Sequence, residues 1–302
     1  MARVLLAVDW AAAQTVAADV TIEAEYGVNV AVGALATAAH HQASGPYGPT
    51  AVAPCNDRQL SSLDPNRVST ILVSHLDLDT VGGCLRVLGH DALFTTELAP
   101  FWELAEHVDL HGPHSIDDEH DDEHDDGEGV AWPRVAIHAY WAWAMTQPRR
   151  ARATGVVDVT SAVLAAADAL RAILVDRDQV LLIAGVRLER DNTARNERTW
   201  VRKCATPAGW IGVRRGAEFC NDLYRSPSGV ELCAIIAHNT KTGAITVSVR
   251  VPSESGLDCR TFAQHLWGAE AGGHAGIAGS PRGRVMTDAE FAAAVDELAL
   301  AL

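Results

Sequence analysis

The chain has 302 residues, with 39 acidic against 24 basic side chains and a formal net charge of −15. Its 48% hydrophobic and 21% charged residues are those of a chain that buries a core, and the length suits one large domain or two ordinary ones. The acidic excess argues against a protein that coats duplex nucleic acid, which needs clustered Lys and Arg; a short nucleotide in a local basic pocket stays open.

Nine of the acidic side chains, and no basic one, fall in SIDDEHDDEHDDGEG (115–129), leaving −6 for the rest. No run nears the ~18 apolar residues of a spanning helix, so no membrane partner is expected. The apolar stretch in MARVLLAVDW ends at Asp9, short of the roughly 7–15 residues of a signal-peptide core. The six cysteines are scattered, with no C-x-x-C pair, which fits reduced thiols and a cytoplasmic location better than a zinc ribbon.

In chain order, Arg3–Val8 and Val68–Ser74 read as buried strands. Between them, Thr37–Asp57 is loop-like, with Gly45, Pro46, Gly48, Pro49 and Pro54 close together. Val81–Leu88 reads as a helix opening at Gly82 and Gly83. Strand, turn and helix in this order predict a parallel α/β sheet, whose ligands gather at the carboxyl ends of the strands. Val135–Met145 reads as a buried helix with Trp141 and Trp143 in the core, and the breaker-rich segment 147–155 as the domain boundary. Asp158 is placed to cap a helix in which Val163, Ala167, Leu170 and Leu174 recur at helical spacing.

Further on, Gln179–Leu188, Trp210–Arg214, Val230–His238 and Ala244–Pro252 are strand candidates, the last two joined by a hairpin loop over Asn239–Gly243. Thr287 and Glu290 form a capping-box pattern before a last helix that buries Phe291, Val295 and Leu298. The fold class expected is α/β: an N-terminal parallel-sheet domain (1–150), a linker helix (151–177) and a smaller α+β C-terminal domain with a mixed sheet (178–302).

Eight of the thirteen histidines lie between residues 75 and 138, mixed with carboxylates. The tightest group is His75, Asp77 and Asp79, directly behind a hydrophobic strand. In an extended segment alternate side chains share a face, so the three are expected to point the same way. Such a set suits a hard divalent cation, Mg2+ or Mn2+, with the imidazole favouring Mn2+. Asp109, His111 and His114 form a second group able to complete that site. The third is glycine-rich: Gly272, Gly273 and Gly279 let backbone N–H groups approach an anion, with His274 and Arg282 as cationic donors and Arg250 directed there from the strand before.

Together these groups resemble the DHH phosphoesterase superfamily, which includes RecJ-type exonucleases, nanoRNases and cyclic-dinucleotide phosphodiesterases. His75-Leu76-Asp77-Leu78-Asp79 is similar to its first motif, D-x-D-x-D-G, with His in the first place and Thr80 where Gly is usual. Ile245–Arg250 followed by Ala271–Gly279 resembles the DHH-associated C-terminal domain, with its strand ending near S-x-R and then G-G-G-H-x-x-A-x-G. The match runs over residues 200–295. The Asp-His-His triplet is absent as a contiguous string; Asp109, His111 and His114 lie in its region. The DDEH repeats with His120 and His124 are a second candidate, although a run of like charges reads first as a solvated loop. For the fourth motif Asp158 competes with its own capping role.

The resemblance implies a metal-dependent phosphoesterase. Two Mn2+ or Mg2+ ions per chain, roughly 3.5–4 Å apart, would be held by His75, Asp77, Asp79, Asp109 and His111 or His114. Asp77, Asp79, His111 and His114 are the catalytic candidates. Arg250, Gly272, Gly273, His274, Gly279 and Arg282 would grip a second phosphate or carboxylate. The substrate expected is a small phosphorylated molecule or short nucleotide in an inter-domain cleft, with no duplex nucleic acid, and a homodimer is compatible with this. The alternatives are a metal-dependent hydrolase or lyase acting on a small non-nucleotide substrate, and a non-catalytic ligand-binding protein on the same scaffold.

Overall fold

Short apolar runs punctuated by Asp, Gly and Pro make a five-stranded sheet, a six-stranded sheet and a two-stranded hairpin in the computed structural model, which describes residues 2–27, 29–39, 55, 57–111, 116, 132–147, 155–196, 199–205, 209–216, 224, 226, 228–250 and 255–302, with backbone only for 110–111 and 192–196. The chain divides into two compact units, Met1–Asp109 with Asp122–Glu189, and Leu110–Asp121 with Arg190–Leu302. The acidic stretch 115–129, apart from Ile116, lies outside the described residues, as does the proline-rich 40–54.

In the first unit, β1 (Arg3–Ala7), β2 (Val20–Ile22), β5 (Ala36–Ala38) and β6 (Thr70–Val73) are parallel, and β7 (Val156–Asp158) runs antiparallel at the edge, in the order β5-β2-β6-β1-β7. Val4, Val20, Ile22, Ile71 and Val73 are fully buried, as expected of a parallel sheet covered on both faces. A short hairpin of β3 (Glu25–Tyr26) and β4 (Asn29–Val30) follows β2, turning at Gly27 with φ 64°.

Helix α3 (Leu78–Val87) starts directly behind β6, later than α1 (Trp10–Ala13) and α2 (Arg58–Ser61) in the chain. It does not open at Gly82 and Gly83, which lie in its interior. A Cβ on Gly82 would stand 2.5 Å from Cys55 Cβ and 2.8 Å from the Trp102 ring, so glycine there lets α3 press against both. The helix α4 (Ala99–His111) contains Asp109 and the backbone of His111.

In α5 (Trp132–Thr146) the buried side is Ala136, Ile137, His138, Ala139 and Tyr140. Trp141 and Trp143 are only half-buried, one helical face away from the expected core. His138 is a core histidine whose Nδ1 meets the Arg134 carbonyl at 3.0 Å.

The expected boundary at 147–155 is not where the units part. The strand β7 pairs with β1, and α6 (Thr160–Leu174) buries Val163, Ala167, Leu170 and Leu174 in the same unit. Asp158 does sit at the start of α6, one place ahead of its N-cap, with Oδ1 accepting from the Thr160 amide (3.0 Å) and hydroxyl (2.7 Å). Those hydrogen bonds, with Arg3 at 3.1 Å, hold its carboxyl below the usual carboxylate range.

The clearest correction is Gln179–Leu188, expected as a strand and found inside the helix α7 (Gln179–Asn196). An apolar run such as VLLIAGV does not distinguish a strand from a helix by periodicity. Asp178 decides it, because its Oδ1 accepts from the Val180 amide at 2.8 Å and caps the first turn. Gly185 then lets α7 approach α5 closely, since a Cβ there would meet the Ala139 amide nitrogen at 2.6 Å.

The second unit carries a six-stranded mixed sheet of β8 (Trp200–Lys203), β9 (Trp210–Gly216), β10 (Ala234–Asn239), β11 (Ile245–Val249), β12 (Gly272–Gly273) and β13 (Ile277–Gly279), in the order β12-β13-β11-β10-β9-β8, with only β9 and β10 parallel. Alternate residues Ile211, Val213, Ala234, Ile236, Ile245, Val247 and Val249 face α8 (Cys259–Trp267) and α9 (Asp288–Ala301), where Phe262, Trp267, Phe291, Val295 and Leu298 complete the core. The β10–β11 hairpin turns where expected, with Asn239 Oδ1 accepting from the Lys241 and Thr242 amides and Gly243 at φ 72°. The Thr287–Glu290 capping box is formed at the start of α9. We expect Thr287→Ala to cost about 1 kcal/mol, read as a lowered midpoint in urea unfolding. Among the described residues no helix is long and apolar enough to cross a membrane.

Candidate functional site

The register of the parallel sheet sets the site. Ile22 at the end of β2 pairs with Val73 at the end of β6, so the next residues, Glu23 and Ser74, are neighbours at the carboxyl edge. Glu23 is 1% exposed, and its backbone sits in the left-handed region at φ 49°. The Ser74 hydroxyl donates to the Glu23 carbonyl and lies 2.9 Å from His75 Nδ1. On its other side His75 Nε2 stands 2.6 Å from Asp77 Oδ2 and 3.8 Å from Glu23 Oε2.

These contacts fix the imidazole. A serine hydroxyl has one hydrogen, and a carbonyl oxygen can only accept. With that hydrogen on the Glu23 carbonyl, Ser74 Oγ accepts from His75 Nδ1–H, and the Nε2 lone pair is the one turned toward the two carboxylates. The 2.6 Å contact with Asp77 is a hydrogen bond when Nε2 carries a proton, and a cation in the proton's place would serve the same two atoms.

Asp77 does a second job. Its Oδ1 accepts from the Thr80 amide at 2.9 Å and caps α3. Burial alone would raise this carboxyl, but the charge and hydrogen bond of His75 outweigh it, against the charge of Glu23 and with help from the Thr80 amide. The net result is a carboxyl held well below the usual range.

Asp79 does not share the face of His75 and Asp77, because the chain is already helical there. It lies in the first turn of α3, 3% exposed, where Cys55 Sγ donates to its Oδ1 at 3.4 Å. The Cys55 thiol is pushed far up, first by burial, then by the charge and hydrogen bond of Asp79 and the charges of Glu106 and Asp109. Asp79 is in contact with that thiol from α3, while the charge of Asp109 on α4 acts on it from further off. The His111 side chain and all of His114 lie outside the described residues.

Sequence reasoning missed Glu23 and Cys55. Glu23 follows the apolar triplet Val20-Thr21-Ile22, too short a strand to stand out. Cys55 lies in a segment read only as loop.

Among the described residues no three His, Cys, Asp or Glu side chains form a ready-made cation site. In kind the donors still fit a hard divalent cation: one imidazole nitrogen and the oxygens of Glu23 and Asp77. Asp79 as it stands is engaged with Cys55.

The glycine-rich segment forms a second feature in the other unit. His274 lies in the turn between β12 and β13, half-buried, and its backbone N–H is taken by the Ile277 carbonyl at 2.7 Å. Gly273 has φ 144°, and a Cβ there would stand 2.4 Å from the Ile277 oxygen, whereas a Cβ on Gly272 would meet nothing within 4 Å. The Val249 amide bonds the Gly276 carbonyl at 2.9 Å, so Arg250, one residue on and exposed, lies at the sheet end that carries the His274 turn. Its guanidinium is 3.9 Å from Glu231.

Arg282 is not gathered there. Ser280 bonds Ile245 at the other end of β11, five residues from Arg250, roughly 17 Å at ~3.4 Å per residue. Gly279 pairs with Gly272 and Thr246 within the sheet. No family model and no curated protein matches the chain.

Proposed function

We propose that this chain is a metal-dependent phosphoesterase or phosphodiesterase acting on a small phosphorylated or short nucleotide substrate. The observation that carries the reading is the meeting of Glu23, His75 and Asp77 at the carboxyl ends of β2 and β6, which puts two carboxylates around one imidazole nitrogen, with Nε2 2.6 Å from Asp77 Oδ2 and 3.8 Å from Glu23 Oε2. Glu23, His75, Asp77, Asp79 and Asp109 would hold Mn2+ or Mg2+, leaving the second ion's ligands to His111 or His114. When bound, such ions neutralise charge on phosphoryl oxygens and supply hydroxide at neutral pH.

The chain's own residues do the rest. Ser74 keeps His75 Nε2 turned inward, and Asp77 holds that nitrogen while anchoring α3. In the second unit, Arg250 and His274 at one sheet end supply cationic donors for a phosphate or carboxylate; Arg282 is left out of this grip.

Purified protein with Mn2+ is expected to cleave at least one of a short oligonucleotide, a cyclic dinucleotide, a nucleoside bisphosphate and an aryl phosphate. Failure on all four, with cleavage of a small non-phosphorylated substrate, would point to the other hydrolase or lyase reading. Fewer than about one tightly bound Mn2+ per chain would point to a ligand-binding protein.

A further inference from the structure

We infer that Cys204 and Cys233 form an oxidation site, a dithiol that a hydroperoxide converts to an intramolecular disulfide. This inference does not depend on the proposed phosphoesterase activity. Cys204 follows the edge strand β8, and Cys233 precedes β10, with β9 between the two strands. Their sulfurs nonetheless lie 3.7 Å apart.

Three backbone bonds bring them together. The Cys204 amide donates to the Gly209 carbonyl at 3.0 Å, the Cys233 amide to the Trp210 carbonyl at 3.0 Å, and the Cys233 carbonyl accepts from the Arg250 amide at 3.1 Å. Gly209 packs closely on Cys233, since a Cβ there would press on its Sγ at 3.0 Å.

The two thiols differ as an oxidised and a resolving cysteine should. Cys233 is half-buried and within reach of solvent, and Cys204 is 6% exposed. Burial, then the charge and hydrogen bond of Cys233, push the Cys204 thiol up to about 12. Cys233, the more exposed of the two, is the thiol that an oxidant from solvent meets first. The Cys233 thiol also meets the Trp210 carbonyl at 3.4 Å, whereas the other described cysteines, Cys55, Cys84 and Cys259, are all buried, Cys55 on Asp79 and Cys259 on the Gly276 carbonyl.

In the first step, Cys233 sulfur takes the terminal oxygen of the hydroperoxide, giving a sulfenic acid and an alcohol, or water when the oxidant is hydrogen peroxide. Cys204 sulfur then attacks Cys233 sulfur, the S–O bond breaks, and the departing hydroxide takes the Cys204 proton as water. The oxidant loses two electrons' worth of oxidising capacity and the dithiol supplies them. A dithiol reductant reverses the change by exchange. The sulfurs must close from 3.7 Å to about 2.05 Å, movement that the end of an edge strand can supply.

The test treats the full-length reduced protein with one equivalent of hydrogen peroxide and maps its peptides without reduction. The expected product is a monomer lighter by about 2 Da, with the Cys204 and Cys233 peptides linked and the link lost on adding dithiothreitol. Cys204→Ser is expected to leave a sulfenic acid on Cys233 that dimedone captures, and Gly209→Ala to slow closure several-fold. Linkage of Cys233 to Cys220 or to a second chain would overturn the inference. So would wild-type protein in which Cys233 goes on to the sulfinic acid with Cys204 unlinked. Wild-type mapping alone decides between these results, however the variants fold.

Discussion

Asp77→Asn is expected to lower Mn2+-dependent turnover by more than about 100-fold, beyond the cost of losing an outer-shell partner of a metal ligand, while leaving the fold intact. The two oxygens of Asp77 have separate duties, which is why these effects separate. Oδ1 caps α3 through the Thr80 amide, and Oδ2 faces His75 Nε2. Asparagine caps a helix as well as aspartate does, so Oδ1 keeps its role. The new amide N–H takes the place of Oδ2 and donates to the Nε2 lone pair of a neutral His75, whose other nitrogen is satisfied by Ser74. The structure loses no hydrogen bond; it loses the negative charge.

The same variant should change the acid limb of stability. The Asp77 carboxyl is held below its usual range, so its contribution is present above the ordinary carboxylate pKa of about 3.9 and is lost as pH falls toward the folded value. Wild-type protein is therefore expected to lose more stability than Asp77→Asn below about pH 4, measured by urea unfolding across pH 2–7 (roughly the span of carboxylate titration). Asp79→Asn removes a buried charge and keeps an oxygen for the Cys55 thiol, so its fold should also hold while activity falls. Unchanged turnover in both variants would move the site elsewhere.

The elements legible in the sequence were those with local punctuation. The strands β1 and β6 are short β-branched or Leu-rich runs closed by polar residues, the Asn239–Gly243 loop carries its own turn chemistry, and the Thr287–Glu290 box marks its own helix. Helix α7 was misread because its capping Asp178 stands outside the apolar run and the run itself fits either period. The spacing of His75, Asp77 and Asp79 marks a chemical group, yet a common direction for the three needs an extended chain through a point where Asp77 already caps α3.

Glu23 and Arg282 show what spacing cannot deliver. Glu23 reaches His75 only because β2 and β6 pair in parallel across about fifty residues of chain, a long-range register that no local pattern carries. Arg282 is close in sequence to His274, but between them β13 runs antiparallel to β11 from Ser248 to Thr246 and leads the chain toward the opposite end of that strand. Sequence proximity thus overstated one site and understated the other.

Gly273→Ala is expected to be the most damaging small substitution in the second unit, lowering its stability by about 2–4 kcal/mol, while Gly272→Ala, one residue earlier, should stay within about 0.5 kcal/mol. Both glycines lie in β12 and both pair with β13, so composition and motif treat them alike. Their surroundings differ. At Gly273 the backbone has φ 144°, and a Cβ would stand 2.4 Å from the Ile277 oxygen and 2.6 Å from Ala278 Cα. Those are backbone atoms of the paired strand, so relief requires β12 and β13 to separate, not a side chain to swing aside. At Gly272 a Cβ points into open space.

The strand separation forced at Gly273 would also break the Ile277–His274 backbone bond at 2.7 Å and displace the imidazole proposed to meet the anion. Two measurements follow from one cause: Gly273→Ala should lose protection of the Ile277–Gly279 amides in hydrogen exchange and also weaken inorganic phosphate binding. Gly272→Ala should keep the protection, and any loss of phosphate affinity it shows would then report on the glycine backbone as an anion contact. Equal protection in the two variants would mean that the β12–β13 turn does not hold His274 in the way its φ and contacts require.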